Sequence, residues 1–115
     1  MTYALLIYRI LAASTTPSAK DGLAGHRALQ AEASAANELR AAAQLATPTT
    51  ARSVRPRANG HEITDGPFVE SKEWLVGFYL VDCDSEEQAL ARAKQICTDE
   101  DHAVEVRPVV WRWRQ

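Results

Sequence analysis

Two side chains in this sequence are of types that can transfer protons, the imidazole of His26 and the carboxylate of Asp65. An imidazole titrates near neutral pH and acts as a general acid or base, while a carboxylate acts as a base or orients an imidazole. Asp65 begins Asp65-Gly66-Pro67-Phe68, a turn sequence in which Gly permits a strained backbone and Pro fixes φ. These residues predict a catalytic His–Asp pair if the fold brings His26 and Asp65 together.

Each of these residues also has a purely structural interpretation, and the sequence leaves both interpretations open. The Asp65 carboxylate can accept hydrogen bonds from nearby backbone amides in an Asx-type turn. A His on the apolar side of an Ala-rich helix can be half-buried and hydrogen-bonded without any chemical role.

Further ligand contacts are predicted around the same turn. The candidates are Gly66, Pro67, Phe68, Lys72 and Arg55. Lys72 lies in a charged run that is otherwise typical of a solvated loop. Arg55 either pairs with an acid across a sheet, which we favour, or binds a ligand carboxylate through two parallel hydrogen bonds.

Composition and motifs exclude several other classes of function. The net charge of −2 argues against general nucleic-acid affinity, which needs clustered positive charge. His61 and His102 make no metal-ligand pattern with their neighbours, so we predict neither a metal nor a cofactor. Cys83 and Cys97 are not a Cys-x-x-Cys pair and are predicted to be reduced, partly buried thiols.

The chain length and the apolar content are those of one domain. The sequence has 115 residues and is 46% hydrophobic, enough for a core but small enough to gain stability by dimerising. No signal peptide opens it and no apolar run approaches the roughly 20 residues that span a bilayer. We therefore expect a cytoplasmic protein that does not contact membranes.

Periodicity and turn residues predict the order strand, helix, strand, hairpin, strand, helix, strand. The predicted elements are a strand at 3–8 buried on both faces, a helix at about 20–36, a strand at 39–45, a hairpin around Asn59-Gly60, a strand at 74–81, a helix capped by Ser85 and Gln88, and a strand at 104–107. Asn37 is the residue expected to end the first helix in a left-handed conformation. The second helix is expected to bury Ala89, Leu90, Ala93, Ile96 and Cys97.

Without the hairpin, this order is βαββαβ, the ferredoxin-like α+β arrangement. Its antiparallel sheet has helices on one face, and the other face needs a cover. A second copy of the chain would supply that cover. The tail Trp111-Arg112-Trp113-Arg114 is more consistent with two Trp side chains packed on a neighbouring subunit than with stacking on nucleic-acid bases.

The stretch 64–73, continuing through Leu75, 77–80 and Asp82, resembles the signature of DGPF-domain proteins, a branch of the YCII-related family. The first strand, the hairpin entry at 50–55 and the last strand at 104–109 also resemble that family. The resemblance implies a ferredoxin-like domain over residues 1–115 and a homodimer whose two sheets form an α/β barrel. It implies no established reaction.

The resemblance also bears on the site. Related YCII proteins carry a His on the first helix, about three turns before its end, and a His–Asp pair has been suggested as their active site. His26 precedes Asn37 by eleven residues, which resembles that spacing, and Asp65 is the natural acid.

Two functions follow as alternatives. The first is an isomerase-, lyase- or hydrolase-like enzyme that transfers protons on a small organic acid or a lactone-like molecule. The second is a non-catalytic dimer that binds a small ligand or has a regulatory role. The regulatory role is suggested by the resemblance, because DGPF members are frequently encoded near alternative sigma factors.

Overall fold

Six strands and two helices follow one another along the part of the chain that the structure describes. In order they are β1 Thr2–Ile10, α1 Ala19–Ala35, β2 Leu39–Gln44, β3 Arg52–Arg57, β4 Gly60–Asp65, β5 Glu73–Asp82, α2 Glu86–Ile96 and β6 His102–Pro108. A short 3-10 turn at Pro48–Thr50 precedes β3. The structure is a computed structural model that describes residues 1–10, 19–67 and 73–113, without the side chains of residues 19–22.

Four of the strands form one antiparallel sheet in the order β2-β5-β1-β6, and β3 pairs with β4 in a separate hairpin. The predicted α+β class with an antiparallel sheet is confirmed, and this strand order is compatible with the ferredoxin-like arrangement. Pro108 predicts that the last strand is either bulged or at an edge, and β6 lies at an edge, because it pairs only with β1 among the strands described.

Both helices pack on the same face of the sheet. The buried core contains Tyr3, Leu5, Ile7, Leu29, Ala33, Tyr79, Val81, Cys83, Ala89, Ala93 and Ile96. Alternate strand residues point to opposite faces, so Ala4, Leu6 and Tyr8 lie on the other face and are only half-buried. The prediction that β1 is buried on both faces is therefore wrong for the single chain, because α1 and α2 leave one face of the sheet uncovered.

The buried stripe of α2 is narrower than predicted. Ala89, Ala93 and Ile96 are buried, but Leu90 is 42% exposed and Cys97 is exposed. Leu90 and Cys97 each follow a buried residue by one position, which turns the side chain about 100° around the helix, as 3.6 residues per turn require. The expectation that both would be buried is wrong for that reason.

The end of α1 has the geometry that its sequence predicts. Asn37 has a φ of 58° and follows the last turn. The Glu38 N–H donates to the Ala33 carbonyl at 2.8 Å, and the Asn37 N–H donates to the Ser34 carbonyl at 3.0 Å. This pair of bonds is the Schellman motif with Asn in the left-handed position. It lets the chain turn directly into β2.

The start of α2 confirms the predicted cap. The Ser85 hydroxyl accepts a hydrogen bond from the Gln88 N–H at 3.2 Å. The Gln88 side-chain oxygen accepts from the Asp84 N–H at 2.6 Å, one residue earlier than a standard capping box would have it. No helix in the described part of the chain is both long and apolar enough to cross a bilayer.

The two helices approach each other closely at Gly25. A Cβ atom at this position would overlap the backbone carbonyl oxygen of Gln95 on α2. Because a backbone atom cannot move aside as a flexible side chain can, Gly25 fixes how near α1 lies to α2. It also sets the position of His26, the next residue on α1.

We expect Gly25→Ala to destabilise the fold by about 1–3 kcal/mol, the usual cost of overpacking. Helix propensity alone predicts the opposite change in stability, because Ala is favoured over Gly inside a helix by about 1 kcal/mol. Urea unfolding followed by circular dichroism measures the change.

Ala24→Ser, at an exposed position of the same helix, is the control and should change the free energy of unfolding by less than about 0.5 kcal/mol. A Gly25→Ala protein as stable as the native chain would contradict the close contact between the helices.

Candidate functional site

A cavity of about 450 Å³ lies between α1 and the helix-covered face of the sheet. Its polar lining includes His26 and Gln30 from α1, Tyr79 from β5 and His102 from β6. The remaining walls are largely apolar and include Ile7, Leu23, Ala42 and Val76. A concave apolar pocket with a few converging polar groups is typical of a small-molecule site.

Strand pairing explains why these residues share one face. Tyr79 pairs with Ala42, Gly77 pairs with both Ile7 and Gln44, and His102 pairs with Arg9. Residues paired directly across antiparallel strands point to the same face. The register therefore brings residues from all four strands of the sheet beneath the first half of α1.

His26 is held by the phenol of Tyr79. The Nδ1 atom of His26 lies 2.7 Å from the Tyr79 hydroxyl, and Gln30 donates from Nε2 to the same hydroxyl at 2.9 Å. The His26 and Tyr79 rings also stack, with centroids 5.7 Å apart and planes at 24°. Gln30 follows His26 by four residues, so both side chains lie on one face of α1.

His102 is held by a carboxylate. Its Nδ1 atom lies 2.8 Å from Oδ1 of Asp99, which also accepts the Asp101 N–H at 2.9 Å. Asp99 thus holds the turn between α2 and β6 through one hydrogen bond and orients the His102 ring through the other. The hydrogen bond from His102 is the main cause that lowers the pKa of Asp99, so this carboxylate stays ionised at neutral pH.

The environment of His26 disfavours its protonated form. Burial is the larger cause that lowers its pKa from the ordinary value of 6.5, and the nearby His102 is the second. A neutral imidazole beside a cavity at neutral pH is suited to acid–base chemistry.

The cavity has no metal-binding set among the residues that the structure describes. Over 1–10, 19–67 and 73–113, no group of three or more His, Cys, Asp or Glu side chains is placed to hold a metal ion. The two imidazoles are instead each engaged through Nδ1 by an oxygen partner. Acid–base chemistry or ligand binding is what this arrangement can support.

Asp65 lies elsewhere in the chain. It ends β4, its side chain is 92% exposed, and it forms an ion pair with Arg52 across the hairpin at 3.4 Å. Asp65 is not among the described residues that line the His26 cavity. The pairing of His26 with Asp65 stays a prediction.

One of the predicted ligand-binding residues near Asp65, Pro67, lines a second, larger cleft. Gly66 has a φ of 97° and its carbonyl accepts from the Ser53 hydroxyl at 2.8 Å. Pro67 follows and lines a cleft of about 970 Å³ that includes Tyr8, Leu75 and Glu105. These strand residues point away from the helices, so the cleft and the His26 cavity lie on opposite faces of the sheet.

The other predicted contacts are only partly placed. Arg55 lies on β3 opposite Glu62. Phe68 and Lys72 lie outside the described residues. We assign the candidate site to the smaller cavity, because the imidazoles line it and none lines the described part of the larger cleft.

Sequence reasoning missed Tyr79, His102 and Asp99. The sequence places Tyr79 only within the predicted strand at 74–81, and it marks His102 only as a histidine without a metal-ligand pattern. The spacing of Asp99 and His102 was a usable signal, since an acid three residues before a His can reach it across a tight turn. The approach of His102 to His26 is set by strand register, which a single sequence does not reveal.

Comparison with known proteins identifies the family. The family model for the YCII-related domain matches residues 1–114. An uncharacterised protein of Rhizobium meliloti (strain 1021) is 34% identical over 114 residues, covering 95% of this chain and 92% of the relative. The chain therefore belongs to the YCII-related family. Its narrower assignment to the DGPF branch stays a prediction.

We expect His26 to titrate below 6.5 when its ring protons are followed by NMR, because burial and His102 both disfavour its charged form. His102→Asn should raise the titration midpoint of His26, because it removes the second cause of the lowered pKa. The midpoint should stay below 6.5 because burial, the larger cause, remains.

The same shift gives stability a pH dependence. Below pH 6.5 the unfolded chain binds a proton at His26 before the folded chain does, so this residue makes unfolding easier as pH falls through that range. A His26 midpoint at or above 6.5 would contradict the electrostatic description of the cavity.

Proposed function

We propose that this YCII-related chain is a small-molecule enzyme that transfers protons in the cavity beneath α1, with His26 as a catalytic acid–base group. The observation that carries the proposal is the setting of His26. One ring nitrogen is fixed by Tyr79 at 2.7 Å, and the ring lines a cavity of about 450 Å³. The reaction class is isomerase-, lyase- or hydrolase-like.

The surroundings of His26 support this proposal. A general acid or base must be oriented, and Tyr79 and Gln30 orient the ring from one side. The ring must also be neutral at the working pH to take part in such a transfer, and burial lowers the pKa of His26. Titratable groups with shifted pKa values in a cleft are candidates for function.

Asp65 is given no step in this chemistry. Its side chain is largely exposed and pairs with Arg52. The sequence-based His26–Asp65 pair makes a separate prediction, which the Asp65→Asn variant tests beside the substitutions in the cavity.

We expect His26→Asn to lower turnover about 10²-fold or more, the usual contribution of one general acid–base group. A panel of small organic acids, lactones and enolisable carbonyl compounds is incubated with the native protein and with the variant, and products are followed by NMR. Tyr79→Phe keeps the ring but loses the hydroxyl, so it should lower turnover less than His26→Asn does.

His61→Asn is the matched control, because His61 is exposed on the hairpin. Equal turnover by the native, His26→Asn and His61→Asn proteins would sink the enzyme proposal. A compound that binds in the cavity and is never converted would favour the alternative, a ligand-binding or regulatory dimer.

We also infer a homodimer that covers the open face of the sheet. This face carries apolar side chains that neither helix contacts, among them Ala4, Leu6, Phe78 and Leu80, all half-buried. An apolar face of four strands without a cover is unfavourable in water, and a second copy packed face to face would bury it. The exposed Trp111 and Trp113 would add apolar area to such an interface.

The native protein should elute as a dimer in size-exclusion chromatography with light scattering at micromolar concentration. Phe78→Glu places two charges in the symmetric interface and should shift the protein to monomer. Val54→Glu, at a position 58% exposed on the hairpin, should leave it dimeric. A native protein that elutes as a monomer would contradict the proposed cover of the sheet.

A further inference from the structure

The hydrogen bonds around the two imidazoles assign a tautomer to each ring. An ionised carboxylate can only accept hydrogen bonds, so the Nδ1 atom of His102 that lies beside Asp99 carries the proton. In its neutral form, His102 therefore has an unprotonated Nε2. This nitrogen makes no hydrogen bond with any described residue, and His102 lines the cavity.

The contacts of His26 assign the opposite tautomer. Gln30 donates from Nε2 to the Tyr79 oxygen, so the phenol hydrogen is left for another acceptor. The His26 Nδ1 atom, 2.7 Å from that oxygen, is the acceptor in reach. A neutral His26 therefore carries its proton on Nε2, the ring nitrogen that has no partner within the described part of the chain.

Resting on the proposed function, we propose that His102 is the catalytic base and His26 the catalytic acid, and that the substrate is a small carbonyl compound with a C–H bond next to the carbonyl. The cavity then offers two groups to the same ligand, the lone pair on Nε2 of His102 and the N–H at Nε2 of His26. This combination suits a proton shift between carbon and oxygen. Asp99, Tyr79 and Gln30 act as positioning residues, because each holds a ring and not the substrate.

The step balances without any further reagent. The α C–H bond breaks and its proton goes to Nε2 of His102, forming an imidazolium that the Asp99 carboxylate stabilises. The C–H electron pair forms the C=C bond, and the carbonyl π pair moves to oxygen. That oxygen is stabilised by, and takes its proton from, the Nε2–H of His26. Return of the proton from His102 to carbon, with return of the oxygen-bound proton to Nε2 of His26, gives the original ketone or, by addition to the opposite face of that carbon, its epimer.

Two features of the site fit this division of roles. The lowered pKa of His26 keeps it a neutral donor at neutral pH, and a neutral imidazole can polarise a carbonyl. The Asp99 carboxylate accepts from Nδ1 of His102 at 2.8 Å, which leaves the Nε2 lone pair of the base for the ligand. The apolar walls at Ile7, Leu23 and Val76 limit the ligand to a small body beside its polar group.

The tautomers can be measured directly in the native protein by long-range ¹H–¹⁵N NMR of the imidazole rings. We expect a proton on Nδ1 for neutral His102 and on Nε2 for neutral His26. Gln30→Glu is the decisive variant, because a carboxylate would accept the Tyr79 hydrogen and force His26 to donate from Nδ1. Gln30 is exposed, so this change leaves the core intact.

Inverted or identical tautomers in the native protein would overturn the assignment, as would an unchanged His26 tautomer in Gln30→Glu. Neither result depends on turnover. The proposed function, which rests on the loss of turnover in His26→Asn, therefore stands or falls separately.

The substrate class is tested by exchange of α-hydrogens in D₂O, with pyruvate, 2-oxobutanoate and cyclohexanone as probes. We expect exchange above the buffer rate for at least one probe, and a loss of about 10²-fold or more in His102→Asn. Asp99→Asn should reduce exchange and also disturb the His102 tautomer, which a merely structural role would not require.

His61→Asn serves again as the control and should exchange at the native rate. Exchange that survives His102→Asn undiminished would overturn the role of His102 as base. Exchange at the buffer rate with all three probes would overturn the carbonyl assignment.

Discussion

The arrangement depends on the packing of two helices against one face of a four-stranded sheet, at a separation that Gly25 permits. Because the Gly25 backbone lies against the Gln95 carbonyl, α1 is held at a fixed distance from α2. Leu29 and Ala33, further along α1, are fully buried, while Leu23 is 56% exposed. The first half of α1 therefore does not fill the space above the sheet, and the cavity with His26 lies there.

A second set of contacts ties the other end of α1 to the rest of the fold. Arg92 on α2 binds Glu32 at 3.0 Å and Glu38 at 3.1 Å, and Gln95 also donates to Glu32. The Arg92 and Glu38 side chains are only 15% and 17% exposed, so this pair is more protected from solvent than an ordinary surface ion pair. With Asn37 turning the chain into β2, these contacts give α1 a defined end, three turns beyond His26.

Local signals were sufficient for most of the fold. Asn37 ended α1 as predicted, although Leu39 to Gln44 contains poor strand formers, because a left-handed residue stops a helix regardless of the propensity that follows. Ser85 and Gln88 marked the start of α2 for the same local reason. Features that depend on distant parts of the chain were less predictable. The half-buried face of β1 is an example, because its burial depends on which other parts of the molecule pack against that face of the sheet.

The same difference between local and long-range signals applies to the candidate site. His26 could be identified from its type and from its face on α1, but Tyr79 and His102 reach it only through strand register. Register is set by pairing between segments far apart in sequence, and no single-residue pattern encodes it. The turn that follows Asp65 is distinctive in its backbone geometry, with a φ of 97° at Gly66, but this geometry does not identify the neighbour of the Asp65 side chain.

The sheet separates two cavities that lie on its opposite faces. The imidazole cavity opens on one side and the apolar cleft that includes Pro67 lies on the other, so hardly any side chain serves both. Because successive residues of a strand point to opposite faces, alternate positions of the same strand can change one of these faces without changing the other. Such a partition would let a chain with this fold change its ligand without changing the opposite face of its sheet.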